Sequence, residues 1–125
     1  MKGRSDNILL FDILECCDRI ASYIIGVSRE AFDDNLQLQD ALIRKLEVIG
    51  EATKGLSAEV TDANPEIPWN KMAGMRDRMV HQYFRVDLDV VWQTVTSDIP
   101  KLQLQIKSLY KTISANEGES RDERS

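Results

Sequence analysis

Apolar side chains recur every three or four residues through most of the 125-residue chain, and this spacing limits its fold more than any other feature. Residues spaced in this way lie on one face of an α-helix, whereas a half-buried β-strand alternates apolar and polar residues with a period of two. The sequence has no β-branched alternation of that kind, so it predicts an all-α protein. The longest example of the helical period is segment 88–113, with Leu88, Val91, Val95, Ile99, Leu102, Ile106, Leu109 and Ile113.

Capping and breaking residues divide this pattern into separate helices. Gly26 can end the first helix, Pro68 suits the first position of the third, and Asp87 can cap the last. Pro100 removes a backbone donor inside the last helix and is expected to bend it. The predicted helices cover about 6–25, 35–54, 69–83 and 88–113, with a connector at 28–34 that has room for one helical turn and an irregular segment at 57–68.

These helices predict a four- to five-helix bundle over residues 1–113, because a chain of this size forms a single domain with its own core. The remaining segment, 114–125, has almost no apolar residues and is predicted to be a disordered polar tail. Charged residues such as Asp12 interrupt the apolar run near the N-terminus, and no run approaches the ~20 apolar residues of a membrane span. We therefore expect a cytoplasmic protein that does not associate with membranes.

The charge balance and the cysteines exclude several classes of function. Acidic residues outnumber basic ones, 21 to 16, and the resulting net charge of −5 disfavours a protein that grips duplex nucleic acid over a broad surface. Adjacent Cys16 and Cys17 form a disulfide bond only under strain and, with a single histidine in the chain, leave no zinc-finger spacing. We expect both cysteines to be reduced core residues, and we predict no metal and no cofactor.

The third predicted helix carries the residues best suited to chemistry. At 100° per residue Arg76 falls in the middle of its apolar face, where a guanidinium is costly to bury unless it has a partner or faces a site. An arginine that extends to the surface, or that pairs with Glu51 or another acid, is an equally good interpretation. His81 is the only histidine, and Asp77 stands four residues before it, within reach of one ring nitrogen. A lone histidine is more often structural than catalytic.

A site shared between two chains would bring these residues together. Arg76 and His81 are five residues apart, which separates them by about 140° on a straight helix. They can meet if the helix ends near His81, if Arg76 reaches round, or if two copies of the chain face each other. Metal-independent RNA cleavage benefits from a base, an acid and a cation, and one chain has one histidine. A two-fold axis would supply the second histidine, so we predict a homodimer.

The same segment is locally basic within an acidic protein. It contains four cations, Lys71, Arg76, Arg78 and Arg85, and one acid, Asp77, which leaves a local excess of three positive charges. This excess is suited to contact with RNA phosphate, and Asp77 and Arg78 are predicted to support the site. From charge alone, an ordinary solvated helix face is an equally good interpretation.

Five blocks of the sequence carry a family resemblance. Three of them follow one another along the chain: Ile-Pro-Trp-Asn-Lys-Met-Ala-Gly at 67–74, the motif Arg76-x4-His81-x-Tyr83, and Val-Asp-Leu-Asp-Val-Val-Trp at 86–92. The other two are Ile-Gly-Glu-Ala-Thr-Lys on the second predicted helix and Thr-x-Asp-Ile-Pro on the last. Together they resemble the HepT-type HEPN toxins, and the resemblance extends from about Asn7 to Tyr110.

The resemblance implies a helical HEPN homodimer whose Arg-x4-His motifs, here Arg76 and His81, meet at the interface and cleave RNA without a metal ion. It also implies a partner, a minimal nucleotidyltransferase antitoxin, in a type VII-like toxin–antitoxin system. In this family the antitoxin attaches adenylyl groups to the motif tyrosine, here Tyr83. Tyr83 is seven residues from Arg76, so on one continuous helix the two would share a face and the modification would cover the site. The alternative for Tyr83 is a core aromatic residue with its hydroxyl hydrogen-bonded.

Two other functions are compatible with the same bundle. A HEPN-like chain can bind a nucleotide or a nucleotidyltransferase partner without cutting RNA, and a bundle fold alone proves no activity. A purely structural dimer, built on the wide apolar face of the first helix, is the weaker alternative. The set Arg76, Asp77, His81 and Tyr83 favours cleavage, because a scaffold does not need it.

Overall fold

The computed structural model describes residues 5–80 and 85–124, and from residue 117 onwards it describes the backbone alone. Within these ranges the chain is almost wholly helical, which confirms the all-α fold. No β-strand occurs there, although Val80 and Val86 form an isolated antiparallel bridge. The helices are α1 (Asp6–Tyr23), α2 (Arg29–Asp33), α3 (Leu36–Lys54), α4 (Ala58–Ala63), α5 (Trp69–Ala73), α6 (Met75–Met79), α7 (Leu88–Gln93) and α8 (Ile99–Arg124), and a π-helical segment, Thr94–Asp98, joins α7 to α8.

Three long helices, α1, α3 and α8, form the centre of the bundle, and α1 packs against both of the others. Each contributes buried apolar residues three or four positions apart, so the period seen in the sequence forms the core. The buried residues are Leu10, Ile13, Cys17 and Ile20 from α1, Leu42, Leu46 and Ile49 from α3, and Ile99, Leu102 and Ile106 from α8.

Local hydrogen bonds explain where several helices begin and end. Asn35 caps α3, since its Oδ1 accepts a hydrogen bond from the Leu38 N–H at 3.0 Å. Asp87 caps α7, as predicted, through the Val90 N–H at 3.2 Å. Gly26 follows the end of α1 with φ of +69°, a left-handed conformation that a residue without a Cβ adopts readily.

Pro100 is the second residue of α8, and Ile99 separates it from the π-helical segment. A proline has no N–H and its ring crowds the carbonyl four residues earlier, so a regular α-helix does not pass through it undisturbed. One wider turn absorbs the disturbance here, because the Ile99 N–H donates to Thr94 O, five residues back. The Thr94 hydroxyl in turn donates to Val90 O at 2.7 Å. The effect predicted for Pro100 therefore takes the form of a π turn.

The prediction of one continuous third helix, from Trp69 to Tyr83, is wrong. Gly74 separates α5 from α6, as is understandable for a residue with low helix propensity. On α6 the residues that face the core are Met75 and Met79, both at most 3% exposed. One continuous helix over this segment is replaced by two helices of five residues each.

The chain that leaves α6 is held against the start of α7. Val80 adopts an extended conformation (φ −108°, ψ 121°) and pairs with Val86. The Asp87 N–H donates to Met79 O at 2.6 Å, which ties the cap of α7 to the last residue of α6. The four residues 81–84 between these ends lie outside the described residues.

Segment 57–68, predicted to be irregular, contains the short helix α4. Ser57 precedes α4 and binds Asp6 on α1, its N–H donating to Oδ1 at 2.8 Å and its hydroxyl to Oδ2 at 2.7 Å. None of the α4 residues is buried. The helix therefore leaves no apolar period in the sequence by which it could be predicted.

α8 continues to Arg124, past residue 113, where the domain was predicted to end, and into the segment 114–125, which was predicted to be disordered. The Ser114 hydroxyl donates to Asn7 Oδ1 at 2.8 Å, so the first residue of that segment still contacts α1. No proline follows Pro100 to stop the helix. Neither α8 nor any other helix in the described ranges is both long and apolar enough to cross a membrane.

Candidate active site

Arg76 lies on the outer side of α6 and not in the core. Its side chain is 65% exposed, and its Nε is 3.7 Å from Oε2 of Glu47 on α3. The prediction that Arg76 lies within a buried apolar face is therefore wrong, and pairing with an acid is observed instead, with Glu47 rather than Glu51. An exposed ion pair of this length contributes little and exchanges partners easily. The guanidinium is thus available to an incoming phosphate.

Close packing of α3 on α5 places Glu47 opposite α6. Gly50 lies one turn after Glu47, and a Cβ at Gly50 would be 3.3 Å from Met72 O and 3.5 Å from Ala73 O. The backbone of α5 therefore rests on α3 where only a glycine leaves this much room. Nothing in the spacing of the acids on α3 marks Glu47 rather than Glu51 as the partner, since the choice depends on where α6 lies.

His81 and Tyr83 both lie outside the described residues. α6 ends at Met79, two residues before His81, as the hypothesis of a helix end near His81 requires. One continuous helix would place Asp77 next to His81 and Tyr83 on the face of Arg76. Because α6 ends at Met79, no such continuous helix connects these residues. Asp77 itself is exposed on α6. The catalytic, supporting and modification roles of these residues stay predictions.

The predicted basic patch has fewer unpaired positive charges than the count of its basic residues suggests. Lys71 Nζ is 3.1 Å from Asp98 Oδ2, so this lysine is neutralised by an acid from the π-helical segment. Arg78 and Arg85 are exposed and have no ion-pair partner in the part of the chain that the structure describes. Three arginines, Arg76, Arg78 and Arg85, therefore remain at the surface around the end of α6.

A cleft of about 540 Å³ lies between α5 and α6 on one side and α8 on the other. Met72, Met75 and Leu102 line its floor, and Lys71 and Asp98 stand at its rim. Its volume is within the range of sites that bind small ligands. Met75, which lines the cleft, directly precedes Arg76 in α6, whereas the Arg76 side chain lies beside Glu47 and does not line the cleft.

The described residues offer neither a metal site nor a reactive thiol. Among them there is no group of three or more His, Cys, Asp or Glu side chains that could hold a metal ion. Cys16 and Cys17 are both buried as free thiols, as predicted. Burial raises the pKa of the Cys16 thiol above its ordinary value and raises the pKa of the Cys17 thiol to about 12. Both thiols therefore stay protonated at neutral pH and are weak nucleophiles.

Comparison with known proteins identifies the family. Residues 13–109 match the family described as "Ribonuclease HepT-like". A protein of Thermococcus cleftensis named "Probable ribonuclease HepT" is 42% identical over 108 residues, which cover 86% of this chain and 98% of that protein. A protein of Methanocaldococcus jannaschii named "Putative RNase MJ1216" is 38% identical over 125 residues, 100% of this chain and 99% of that protein. No solved structure matches the chain significantly. The chain therefore belongs to the HepT-like ribonuclease family, which confirms the resemblance seen in its sequence.

Proposed function

We propose that the chain is a metal-independent endoribonuclease that acts as a homodimer through Arg76 and His81. The observation that carries this proposal is the exposed Arg76 guanidinium near the end of α6, in a member of a ribonuclease family. An arginine with one weak acidic partner can bind a phosphate, and His81 follows two residues after the helix ends. The names of the relatives, which describe ribonucleases, agree with this chemistry.

In the proposed reaction the ribose 2′-hydroxyl attacks the adjacent phosphorus. A bond from the 2′-oxygen to phosphorus forms while the bond from phosphorus to the 5′-oxygen breaks, which leaves a 2′,3′-cyclic phosphate and a 5′-hydroxyl. His81 takes the proton of the 2′-hydroxyl, the partner subunit's His81 returns one to the leaving oxygen, and Arg76 stabilises the charge on the phosphorane. No step of this reaction requires a metal ion.

Cleavage assays on two site variants and one control test the proposal. His81→Ala and Arg76→Ala should each lower the rate of RNA cleavage by at least ~100-fold, because they remove a proton-transfer group and a charge-stabilising group. Arg19→Ala removes an arginine that is exposed on α1, and it should cleave at the wild-type rate. Wild-type cleavage should survive EDTA. Full activity in His81→Ala, or loss of activity with the chelator, would contradict the proposal.

The dimer is proposed because the mechanism needs two histidines and each chain has one. In the dimer, the three exposed arginines around the end of α6 in one chain would lie near the same arginines of the other chain. RNA phosphates bound between them would offset the repulsion of these like charges. Sedimentation at micromolar concentration should show a dimer, and its interface should bury more than ~1,000 Å² in total. A monomer that still cleaves RNA would overturn the shared site.

We also propose that the chain is the toxin of a type VII-like toxin–antitoxin pair in the cytoplasm, and that a minimal nucleotidyltransferase silences it by adenylylating Tyr83. Membership of the HepT-like family supports this pairing, and the protonated buried thiols suit a reducing compartment. In the reaction the Tyr83 oxygen attacks the α-phosphorus of ATP, and pyrophosphate leaves. A phosphodiester charge two residues from His81 would compete with RNA phosphate for Arg76.

Mass spectrometry after incubation with ATP and the nucleotidyltransferase tests the modification. The wild-type chain should gain mass in steps of one adenylyl unit and lose its activity. Tyr83→Phe should gain no mass and should stay active, whereas Tyr110→Phe, the same change in a half-buried tyrosine of α8, should be modified like the wild type. If Tyr83→Phe still gains adenylyl mass, the acceptor is another residue.

A further inference from the structure

The cleft between α5, α6 and α8 has features that Arg76 and His81 do not explain. Its floor consists of Met72, Met75 and Leu102, each at most 3% exposed, so it is apolar and closed from below. The thioether sulfur of methionine is polarisable and makes favourable contacts with aromatic rings. A floor with two methionines therefore suits a flat aromatic ligand.

The rim of the cleft offers hydrogen-bond donors and acceptors together. Lys71 and Asp98 stand 3.1 Å apart, and Gln105 contributes an amide whose present hydrogen bond, to Glu66 O, is long at 3.4 Å. The charged side chains that line the cleft are Lys71, Lys101, Glu66 and Asp98. Their two positive charges balance their two negative charges. Such a cleft has no net charge to attract a phosphate. Donors and acceptors around an apolar floor match the edge and faces of a nucleobase.

We propose that this cleft binds one base of the RNA substrate, next to the phosphodiester that Arg76 contacts; this inference rests on the proposed ribonuclease function. Met75 lines the cleft and Arg76 is the next residue, with its Cα about 3.8 Å away. Arg76 itself does not line the cleft, so in this proposal the nucleotide extends from the guanidinium, beside Glu47, to the methionine floor. Proteins commonly recognise single-stranded RNA through such unstacked bases. Cleavage then depends on the identity of the base on one side of the broken bond.

A binding experiment on the full chain tests this site without using cleavage. In protein labelled at its methionine methyl groups, nucleoside monophosphates should shift the NMR signals of Met72 and Met75. The signal of Met79, which is buried but does not line the cleft, should not move. Ribose 5-phosphate is the matched ligand without a base, and it should leave all three signals in place. Equal shifts with ribose 5-phosphate, or no shift of Met72 and Met75 at millimolar nucleotide, overturn the proposal.

A pair of variants on α8 tests the rim. Gln105→Ala should weaken nucleotide binding by about 5-fold, roughly the effect of one lost hydrogen bond. Gln103→Ala makes the same change outside the cleft and should bind like the wild type. Equal weakening in both variants counts against the site. If Gln105→Ala converts a dimer to a monomer in sedimentation, the cleft is a contact between copies and the proposal fails.

Wild-type RNA cleavage separates this inference from the function on which it rests. A chain that cleaves RNA but shows no base-dependent shift at Met72 and Met75 keeps the proposed function and loses the base site. A chain that cleaves no RNA loses the proposed function, whatever the titration shows. Cleavage of substrates that differ only in one flanking base should give different rates in the wild type, and this difference should shrink in Gln105→Ala.

Discussion

The three long helices and the broken segment, residues 64–98, are organised in different ways. α1, α3 and α8 are 18 or more residues long and bury apolar residues at regular intervals, whereas the broken segment contains α5, α6, α7 and a π turn of five or six residues each. Helices this short are not stable alone and depend on packing for their shape. The apolar period therefore determines the long helices, and contact with α3 and α8 determines where the broken segment places its side chains.

The residues proposed for chemistry are concentrated in the broken segment. Arg76 is exposed near the end of a five-residue helix, and Lys71 meets Asp98 across the cleft. The polar bonds of the long helices tie elements together instead, as between Ser114 and Asn7. In a continuous helix the direction of each side chain is set by its position in the sequence. A break changes these directions, so residues close in sequence can face different parts of the structure. Substitutions made separately in the two regions test this contrast.

The largest effect is expected in the long helices. Leu46→Ala empties a fully buried position on α3 and should lower the free energy of unfolding by about 2–5 kcal/mol. Leu36→Ala makes the same change on the same helix at a position that is 69% exposed, and it should stay within about 0.5 kcal/mol of the wild type. Urea unfolding followed by circular dichroism measures both. Similar values for the two variants would show that the long helices do not depend on their apolar faces.

A smaller effect is expected where the two regions touch. Gly50→Ala puts a Cβ at 3.3 Å from the backbone oxygen of Met72, and such overpacking costs about 1–3 kcal/mol. The better helix propensity of alanine returns about 1 kcal/mol, so we expect a net loss of up to about 2 kcal/mol in thermal or urea unfolding. At Gly74 the nearest atom, Asn70 O, is 3.4 Å away and φ is −91°, so Gly74→Ala should cause no such loss. Stabilisation by Gly50→Ala would show that α5 can move away from α3.

Alkaline pH should weaken the long helices through Cys17. Its pKa is raised from the ordinary value of 9.0 to about 12 in the folded chain, so the folded state favours the neutral thiol. The stability from this shift is fully present below pH 9 and is lost as the pH rises towards 12, by at most about 1.4 kcal/mol per pH unit. Urea midpoints between pH 8 and pH 11 should fall more steeply for the wild type than for Cys17→Ala. Parallel slopes would mean that the Cys17 thiol ionises equally in the folded and unfolded chains.

The smallest effect is expected from the ion pair inside the broken segment. Lys71 and Asp98 are 43% and 26% exposed, so a double-mutant cycle with Lys71→Met and Asp98→Asn should give a coupling of no more than about 1 kcal/mol. The coupling should decrease further in 1 M salt, where the screening length is about 3 Å. A coupling of several kcal/mol would mean that the broken segment is held by electrostatics and not by packing.

The sequence predicts the long helices well because the apolar residues of each one all pack against the same core. Leu42, Leu46 and Ile49 face one core, and their spacing is enough to show it. Gly74 is different, since one glycine within an apolar period does not by itself break a helix. The exposure of Arg76 depends on α3, which is distant in sequence, so spacing on α6 alone placed this arginine on the wrong side. The Arg-x4-His-x-Tyr motif identifies the family without revealing this geometry.

The π turn at Thr94–Asp98 also determines which changes of length the chain tolerates at this point. Closing a turn over five residues instead of four includes one residue more than an α-helix would, which is equivalent to a one-residue insertion in a continuous helix. Each residue of an α-helix advances its direction by about 100°. A chain shortened by one residue here can close as a regular α-helix without turning α8, whereas a chain lengthened by one residue would turn α8 by about 100° and take Ile99 and Ile106 out of the core. Length changes are better accommodated around α4, which buries no side chain.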